Sequence, residues 1–231
     1  MRGRRRYGRR GSRFGFRGGK QTFPNQFDFV LNYVDEDVTQ FVTAGGAGTE
    51  LGTLNYVPGA LWKFAAASAL KEDFPGLEEM SAMFYAVRVM AVKFTVTVEN
   101  TSALEPINIG IFARRTAVNP TWFEYRQAEL AINRNNLRWT SVGVRDGKNN
   151  KKTLSFYVNL GKLFGSKREF MAEEGFVQPL PTSANPSQVQ FLQLYFRSQT
   201  AAGFSAALLA WVSVKAKMYC RFFRRTALNL E

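Results

Sequence analysis

The sequence predicts an all-β chain: a single eight-stranded antiparallel jelly-roll sandwich with one or two short helices and a disordered basic N-terminal arm. Three observations predict it. Eight or nine stretches carry the apolar/polar alternation of half-buried strands, and they do not alternate regularly with helices, so a parallel βαβ sheet is unfavoured. No self-similar period runs through the chain, which argues against a propeller or solenoid. The length of 231 residues, 45% of them hydrophobic, supplies one core of ordinary size. Antiparallel strands in that number close as two packed sheets, and the jelly roll is a leading arrangement of that kind. The expected division is an arm over residues 1–22 and a β body over residues 23–231.

The elements follow in chain order. FDFVLNYV sets Phe27, Phe29, Leu31 and Tyr33 against Asp28, Val30 and Asn32, a strand pattern. DVTQFVTA is a second short strand candidate, and GGAGTELG a glycine-rich turn. ALWKFAAASALK is alanine-rich, with Leu61, Phe64, Ala65 and Leu70 at helical spacing, ended before Pro75. FYAVRVMAVKFTVTVEN is the clearest strand. Met90, Val92, Phe94, Val96 and Val98 form one face; Ala91, Lys93, Thr95, Thr97 and Glu99 form the other. PINIGIFAR follows as a strand, then PTWFEYRQAELAIN with a helical turn begun by Pro120 after Asn119. LRWTSVGV and KTLSFYVNL are strands joined by the turn RDGKNNKK. FMAEEGFV is a weaker strand candidate, and PLPTSANPS a loop. VQFLQLYFRS alternates Leu192, Leu194 and Phe196 against Phe191, Gln193 and Tyr195. The last long strand, LLAWVSVKAKMYCRFFRRT, lines Val212, Val214, Ala216, Met218, Cys220 and Phe222 on one face. Trp211, Ser213, Lys215, Lys217, Tyr219 and Arg221 line the other.

The opening twenty residues, MRGRRRYGRRGSRFGFRGGK, have a different chemistry. They hold Arg2, Arg4, Arg5, Arg6, Arg9, Arg10, Arg13, Arg17 and Lys20, with six glycines and no acid. No apolar period runs through them, so they build no core. A secretory signal needs an apolar run after its first charges, which is missing here. Six glycines oppose the amphipathic helix of a mitochondrial presequence. The arm supplies nine of the thirteen net positive charges, so the remaining 22 basic and 18 acidic groups leave the body only mildly basic. Such asymmetry calls for a polyanion. Tyr7, Phe14 and Phe16 are candidates to stack on unpaired bases, or are simply part of a sticky tail.

Several chemistries are excluded by composition. The chain has no histidine and one cysteine. An intrachain disulfide, a Cys–His or Ser–His nucleophile and a Cys/His zinc site are all ruled out. Carboxylate catalysis survives this filter without any motif to support it. No enzyme activity and no cofactor are expected. No stretch of 18 apolar residues occurs, so no membrane insertion is expected. GFRGGKQT fails as a phosphate loop because Gln21 follows the Gly-Lys pair, and GGAGTEL fails the dinucleotide spacing. Asn100-Thr101-Ser102 matches a glycosylation sequon by chance. Cys220 falls on the apolar face of its strand, where a thiol is buried and inert. Lys215, Lys217 and Arg221 share the opposite face, which is either solvent-facing or a basic wall touching nucleic acid.

Three stretches resemble the capsid proteins of circoviruses and related small circular single-stranded DNA viruses. FYAVRVMAVKFTVTVEN is similar to the family's early long strand. VQFLQLYFRS followed by WVSVKAKMYCRFFRRTALNL is similar to its final strand pair, and MRGRRRYGRR to its arginine-rich N-terminus. The resemblance implies a jelly-roll subunit that closes with about 60 copies into an icosahedral shell around a single-stranded DNA genome. It further implies that the arm binds genome; Lys215, Lys217 and Arg221 are additional candidate contacts by their shared strand face. Arg2, Arg4, Arg5, Arg6, Arg9 and Arg10 then also act as a nuclear localisation signal read by an import receptor. The implied locations are the virion and, during assembly, the host nucleus; the host attachment factor is left unnamed. The second reading is a cellular RNA- or DNA-binding protein, since GFRGGK also resembles RGG-type tails.

Overall fold

The computed structural model describes residues 26–42, 51–61, 64, 74–115, 121–130, 136–180, 186–199 and 209–225. The arm, most of ALWKFAAASALK, residues 45–50 of the glycine-rich turn and the Asn119-Pro120 helix start lie outside the described residues.

Nine strands are described: β1 (Gln26–Val42), β2 (Leu51–Tyr56), β3 (Phe84–Asn100), β4 (Ile107–Arg114), β5 (Leu137–Val142), β6 (Lys151–Asn159), β7 (Gln178–Pro179), β8 (Phe191–Ser198) and β9 (Leu209–Arg225). They form two antiparallel sheets. One runs β1-β9-β3-β6, with the two-residue β7 paired to β3, and the other runs β2-β8-β4-β5. The first and last long strands lie side by side, and chain neighbours are repeatedly sent to opposite sheets. This interleaving is the jelly roll that the alternation predicts.

The two inner faces share one core. Val92, Phe94, Val96 and Val98 of β3, Ile107, Ile109 and Ile111 of β4, Leu192, Leu194 and Phe196 of β8, and the even positions from Val212 to Phe222 of β9 are all buried in it. Burial of a side chain of this size contributes about 1.5–3 kcal/mol. Cys220 is among them, and burial pushes its thiol pKa well up, which suppresses the reactive thiolate.

Four departures have physical causes. FDFVLNYV and DVTQFVTA are one strand, β1, whose register against β9 shifts between Asp35 and Thr39. Such irregularities interrupt pairing locally without ending a strand. FMAEEGFV is not a strand. It ends helix α4 (Lys167–Ala172) and continues into a 3₁₀ turn, Glu174–Phe176. Ser166 caps α4 by accepting from the Glu169 N–H, and Phe170 packs on Phe176 with centroids 4.8 Å apart. Four short helices occur among the described residues, more than the one or two expected. Besides α4 they are α1 (Leu77–Met83), α2 (Trp122–Leu130) and α3 (Leu160–Phe164).

The fourth departure is β8, which is buried on both faces. Its second face is covered by α2. Thr121 and Glu124 open this helix with a reciprocal box: the Thr121 N–H donates to Glu124 Oε2 at 2.6 Å, and the Glu124 N–H to Thr121 Oγ1 at 3.4 Å. Tyr125 stacks on Tyr195 at 4.2 Å, and the Tyr125 hydroxyl donates to Gln193. Glu129 accepts from the Tyr195 hydroxyl at 3.0 Å and forms an ion pair with Arg197, with both charged side chains only 4% exposed. Arg197 also sits over the Trp122 ring at 5.0 Å. Burial pushes the Tyr125 and Tyr195 hydroxyl pKa values up, so both remain protonated donors.

Gly110 of β4 makes this layer fit. A Cβ there would lie 2.5 Å from Cε1 and Cζ of Tyr195, so the ring would have to move. Gly110→Ala is expected to cost about 1–3 kcal/mol. Thermal melting monitored by circular dichroism checks this, and an unchanged midpoint would show that the ring yields freely.

Candidate nucleic-acid interface

The outward face of the β1-β9-β3-β6 sheet carries three of the sequence-predicted contacts. The register lays it out in rows. Asn32, Lys217, Lys93 and Tyr157 form one row across the four strands. The adjacent row is Val34, Lys215, Thr95 and Ser155; on the other side come Val30, Tyr219, Ala91 and Asn159. Lys215, Lys217 and Lys93 are exposed.

Lys93 and Lys217 are therefore direct cross-strand partners of like charge. Opposed side chains in an antiparallel pair have Cβ atoms about 4.5–5.5 Å apart, and like charges there repel. Neither lysine forms an ion pair among the described residues. Two acids of this sheet with described side chains are engaged by basic partners. Glu99 pairs with Lys151 at 3.3 Å, and Asp28 takes both ends of the Arg221 guanidinium, Nε at 2.6 Å and an Nη at 2.9 Å. Two hydroxyl contacts, Thr95–Ser155 at 3.3 Å and Thr97–Thr153 at 3.0 Å, continue the face along β3 and β6.

The predicted trio thus divides. Lys215 and Lys217 lie together on the open face, and Lys93 joins them. Arg221 is held by Asp28 through a bidentate pair, which occupies the fork that would grip a phosphate. The hydrogen bond from Arg221 lowers the Asp28 pKa, and the one to Asp28 raises that of Arg221. A lowered carboxylate pKa adds stability above its ordinary value, and this is lost as pH falls through the folded value. Asp28 is 67% exposed, so solvent and salt keep that contribution small.

Another cation of this sheet, Arg88, is only 4% exposed. It donates to the Met171 carbonyl at 2.6 Å and the Glu173 carbonyl at 2.7 Å, and lies 5.5 Å over Phe170. Burial pulls its pKa below the ordinary arginine value. It fastens α4 to β3. A cavity of about 780 Å³ opens beside it between Gln26, Tyr85, Met171, Glu174 and Phe223. The carbonyls and Glu174 around the guanidinium make this a poor phosphate site.

Among the described residues no group of three or more His, Cys, Asp or Glu side chains is placed to hold a metal, and no helix is long and apolar enough to cross a membrane. Asn100 of the sequon is fully buried, its amide donating to the Glu105 carbonyl at 2.8 Å and the Gly143 carbonyl at 3.0 Å. A glycan has no access to that nitrogen.

No protein-family model matches the chain, and neither does any curated protein sequence. Among solved structures it is similar to the Macrobrachium rosenbergii nodavirus semi-empty VLP, with a TM-score of 0.46, 11% identity, and coverage of 98% of this chain and 95% of that one. It is also similar to the mud crab tombus-like virus structure, with a TM-score of 0.42, 12% identity, and coverage of 98% and 95%. For Desmodium yellow mottle tymovirus the TM-score is 0.42, with 9% identity and coverage of 92% and 96%. These scores and identities are low, and the jelly roll stands on the strand order itself.

Proposed function

We propose that this chain is a viral capsid protein: a structural subunit, without catalysis, that assembles into a small icosahedral shell and packages a single-stranded genome. The observation that carries the reading is the complete interleaved jelly roll in a chain whose concentrated charge sits in a separate arginine-rich segment. Fold alone does not give function, and lectin domains and cupins share this architecture. The nine cations and absent acids of residues 1–20 favour the capsid among them.

The resemblance to circovirus-like capsids assigns single-stranded DNA as the cargo, about 60 copies to the shell and the host nucleus as the site of assembly. The arm residues Arg2, Arg4, Arg5, Arg6, Arg9, Arg10, Arg13, Arg17 and Lys20 bind genome, and the first six of them also serve as the import signal.

Charge balance supports a second contact surface. About 60 arms carry roughly 540 positive charges, against one negative charge per nucleotide. A genome must at least encode this chain, roughly 690 nucleotides at three per residue, so arm charges alone leave phosphates unneutralised.

Size and cargo test the reading. The expressed full chain should elute as a particle of roughly 1.6 MDa, from about 60 copies of a 26.1 kDa subunit, with nuclease-protected nucleic acid inside. Extracted cargo that DNase I destroys and RNase A spares supports the DNA assignment; the reverse overturns it. A monomer with exposed nucleic acid favours the cellular RNA- or DNA-binding reading. Separately, residues 1–20 fused to a reporter too large to diffuse through nuclear pores should carry it into the nucleus. A cytoplasmic reporter contradicts the import role.

A further inference from the structure

We propose that the outward face of the β1-β9-β3-β6 sheet holds a run of unpaired nucleotides, with a phosphate bridging Lys93 and Lys217 and bases stacking on Tyr157 and Tyr219. The inference rests on the capsid reading for its biological cargo but not for its chemistry. Three observations carry it.

The first is the Lys93–Lys217 opposition. The strand register sets the two lysines across from each other, and neither forms an ion pair among the described residues. An anion between them turns mutual repulsion into two attractions. The second is the aromatic pair. Tyr157 lies beside Lys93 in the same row, and Tyr219 is two residues from Lys217 along β9, about 7 Å away at the ordinary strand rise. The two rings meet edge to face at 5.9 Å, yet Tyr157 is 57% and Tyr219 36% exposed. Large aromatic groups left open beside cations on a sheet form the platform that sequence-tolerant single-strand binding uses, at about 1–3 kcal/mol per stacked base. The third is the disposal of acids. Among the described side chains, Glu99 and Asp28 at the margins are both engaged by basic partners, and neither lies in the row of Lys93 and Lys217. The hydroxyls of Thr95, Thr97, Thr153 and Ser155 add uncharged hydrogen-bonding groups along the track.

Duplex nucleic acid buries its base faces and cannot stack on these rings, so the site selects single strands. Stacking is indifferent to base identity, so no sequence preference is expected. Arg221 is not part of the track.

The experiment is ultraviolet cross-linking of the full-length chain to a twenty-nucleotide single-stranded oligothymidylate, with adducts mapped by mass spectrometry. Adducts are expected on the peptides that contain Tyr157 and Tyr219. They should disappear when both residues are changed to leucine, and a twenty-base-pair duplex should give none there. Lys93→Gln with Lys217→Gln, both exposed and safe for folding, should lower the slope of log affinity against log salt by about 0.7, the share of the one bridging phosphate on a single strand. This pair carries the test if the double leucine variant does not fold. Adducts confined to Tyr7, Phe14 and Phe16, with an unchanged salt slope, overturn the sheet site while particle formation leaves the capsid reading standing. Adducts at Tyr157 and Tyr219 on a chain that stays monomeric support the site and overturn the capsid reading instead.

Discussion

Removal of residues 2–20 is expected to abolish most nucleic-acid binding while leaving the β body folded. The segment carries nine cations, and no apolar period runs through its sequence with which to build core. Each phosphate contact on a single strand contributes about 0.7 to the salt slope, so losing nine lowers it by about 6. For the intact chain a rise from 50 to 200 mM salt should then weaken binding by on the order of 10³-fold or more, whereas the deletion variant should change far less. Titration of a labelled single-stranded oligonucleotide at several salt concentrations checks this. Equal slopes for the two proteins would move the main site to the body.

The largest expected effect on stability lies in the layer under α2. Glu129→Ala leaves the Arg197 guanidinium buried with no carboxylate and the Tyr195 hydroxyl without its acceptor. Breaking a buried pair from one side costs about 3–5 kcal/mol. In a chain of this size that lowers the melting temperature by about 10 °C or more. Replacing both partners, Glu129→Met with Arg197→Met, should recover much of the loss, because no charge is then left stranded. A double variant as unstable as Glu129→Ala would mean that the pair itself, and not the stranded charge, holds α2 on the sheet. Thermal melting of the three proteins decides between these.

Much of the sandwich was legible because its long strands alternate without interruption. FYAVRVMAVKFTVTVEN coincides with β3, and the faces assigned to the last strand are those found in β9, with Val212 to Phe222 inward and Lys215 and Lys217 outward. Short elements were less legible. β2 has six residues, and its first two, Leu51 and Gly52, lie inside a stretch that looked like a glycine-rich turn. FMAEEGFV resembles a strand because hydrophobic residues recur in it, but Phe170 and Phe176 reach their shared cluster from a helix and a 3₁₀ turn. The two faces of β8, Leu192, Leu194 and Phe196 against Phe191, Gln193 and Tyr195, follow from its alternation, but nothing local tells that α2 will cover Gln193 and Tyr195.

The candidate interface shows the same division. Which residues share a strand face follows from a period of two, so Lys215, Lys217 and Arg221 were found together. What stands across from them depends on partners far away in sequence. Arg221 is taken by Asp28, 193 positions earlier. Lys93 meets Lys217 only through the β3–β9 register, and Tyr157 joins only through β6. The alternation of β3 already placed Lys93 on an outward face, but no local signal distinguished it from an ordinary solvated lysine.

The central claim is assembly, and cryo-electron microscopy of the purified full-length chain tests it most directly. The account predicts closed icosahedral particles of about 60 subunits, with the β1-β9-β3-β6 sheet and the start of β1 turned toward a nucleic-acid-filled lumen. Monomers or small open oligomers under conditions where the chain is folded would contradict it, and closed shells with Lys93 and Lys217 on the outer surface would contradict the lumenal role of that sheet.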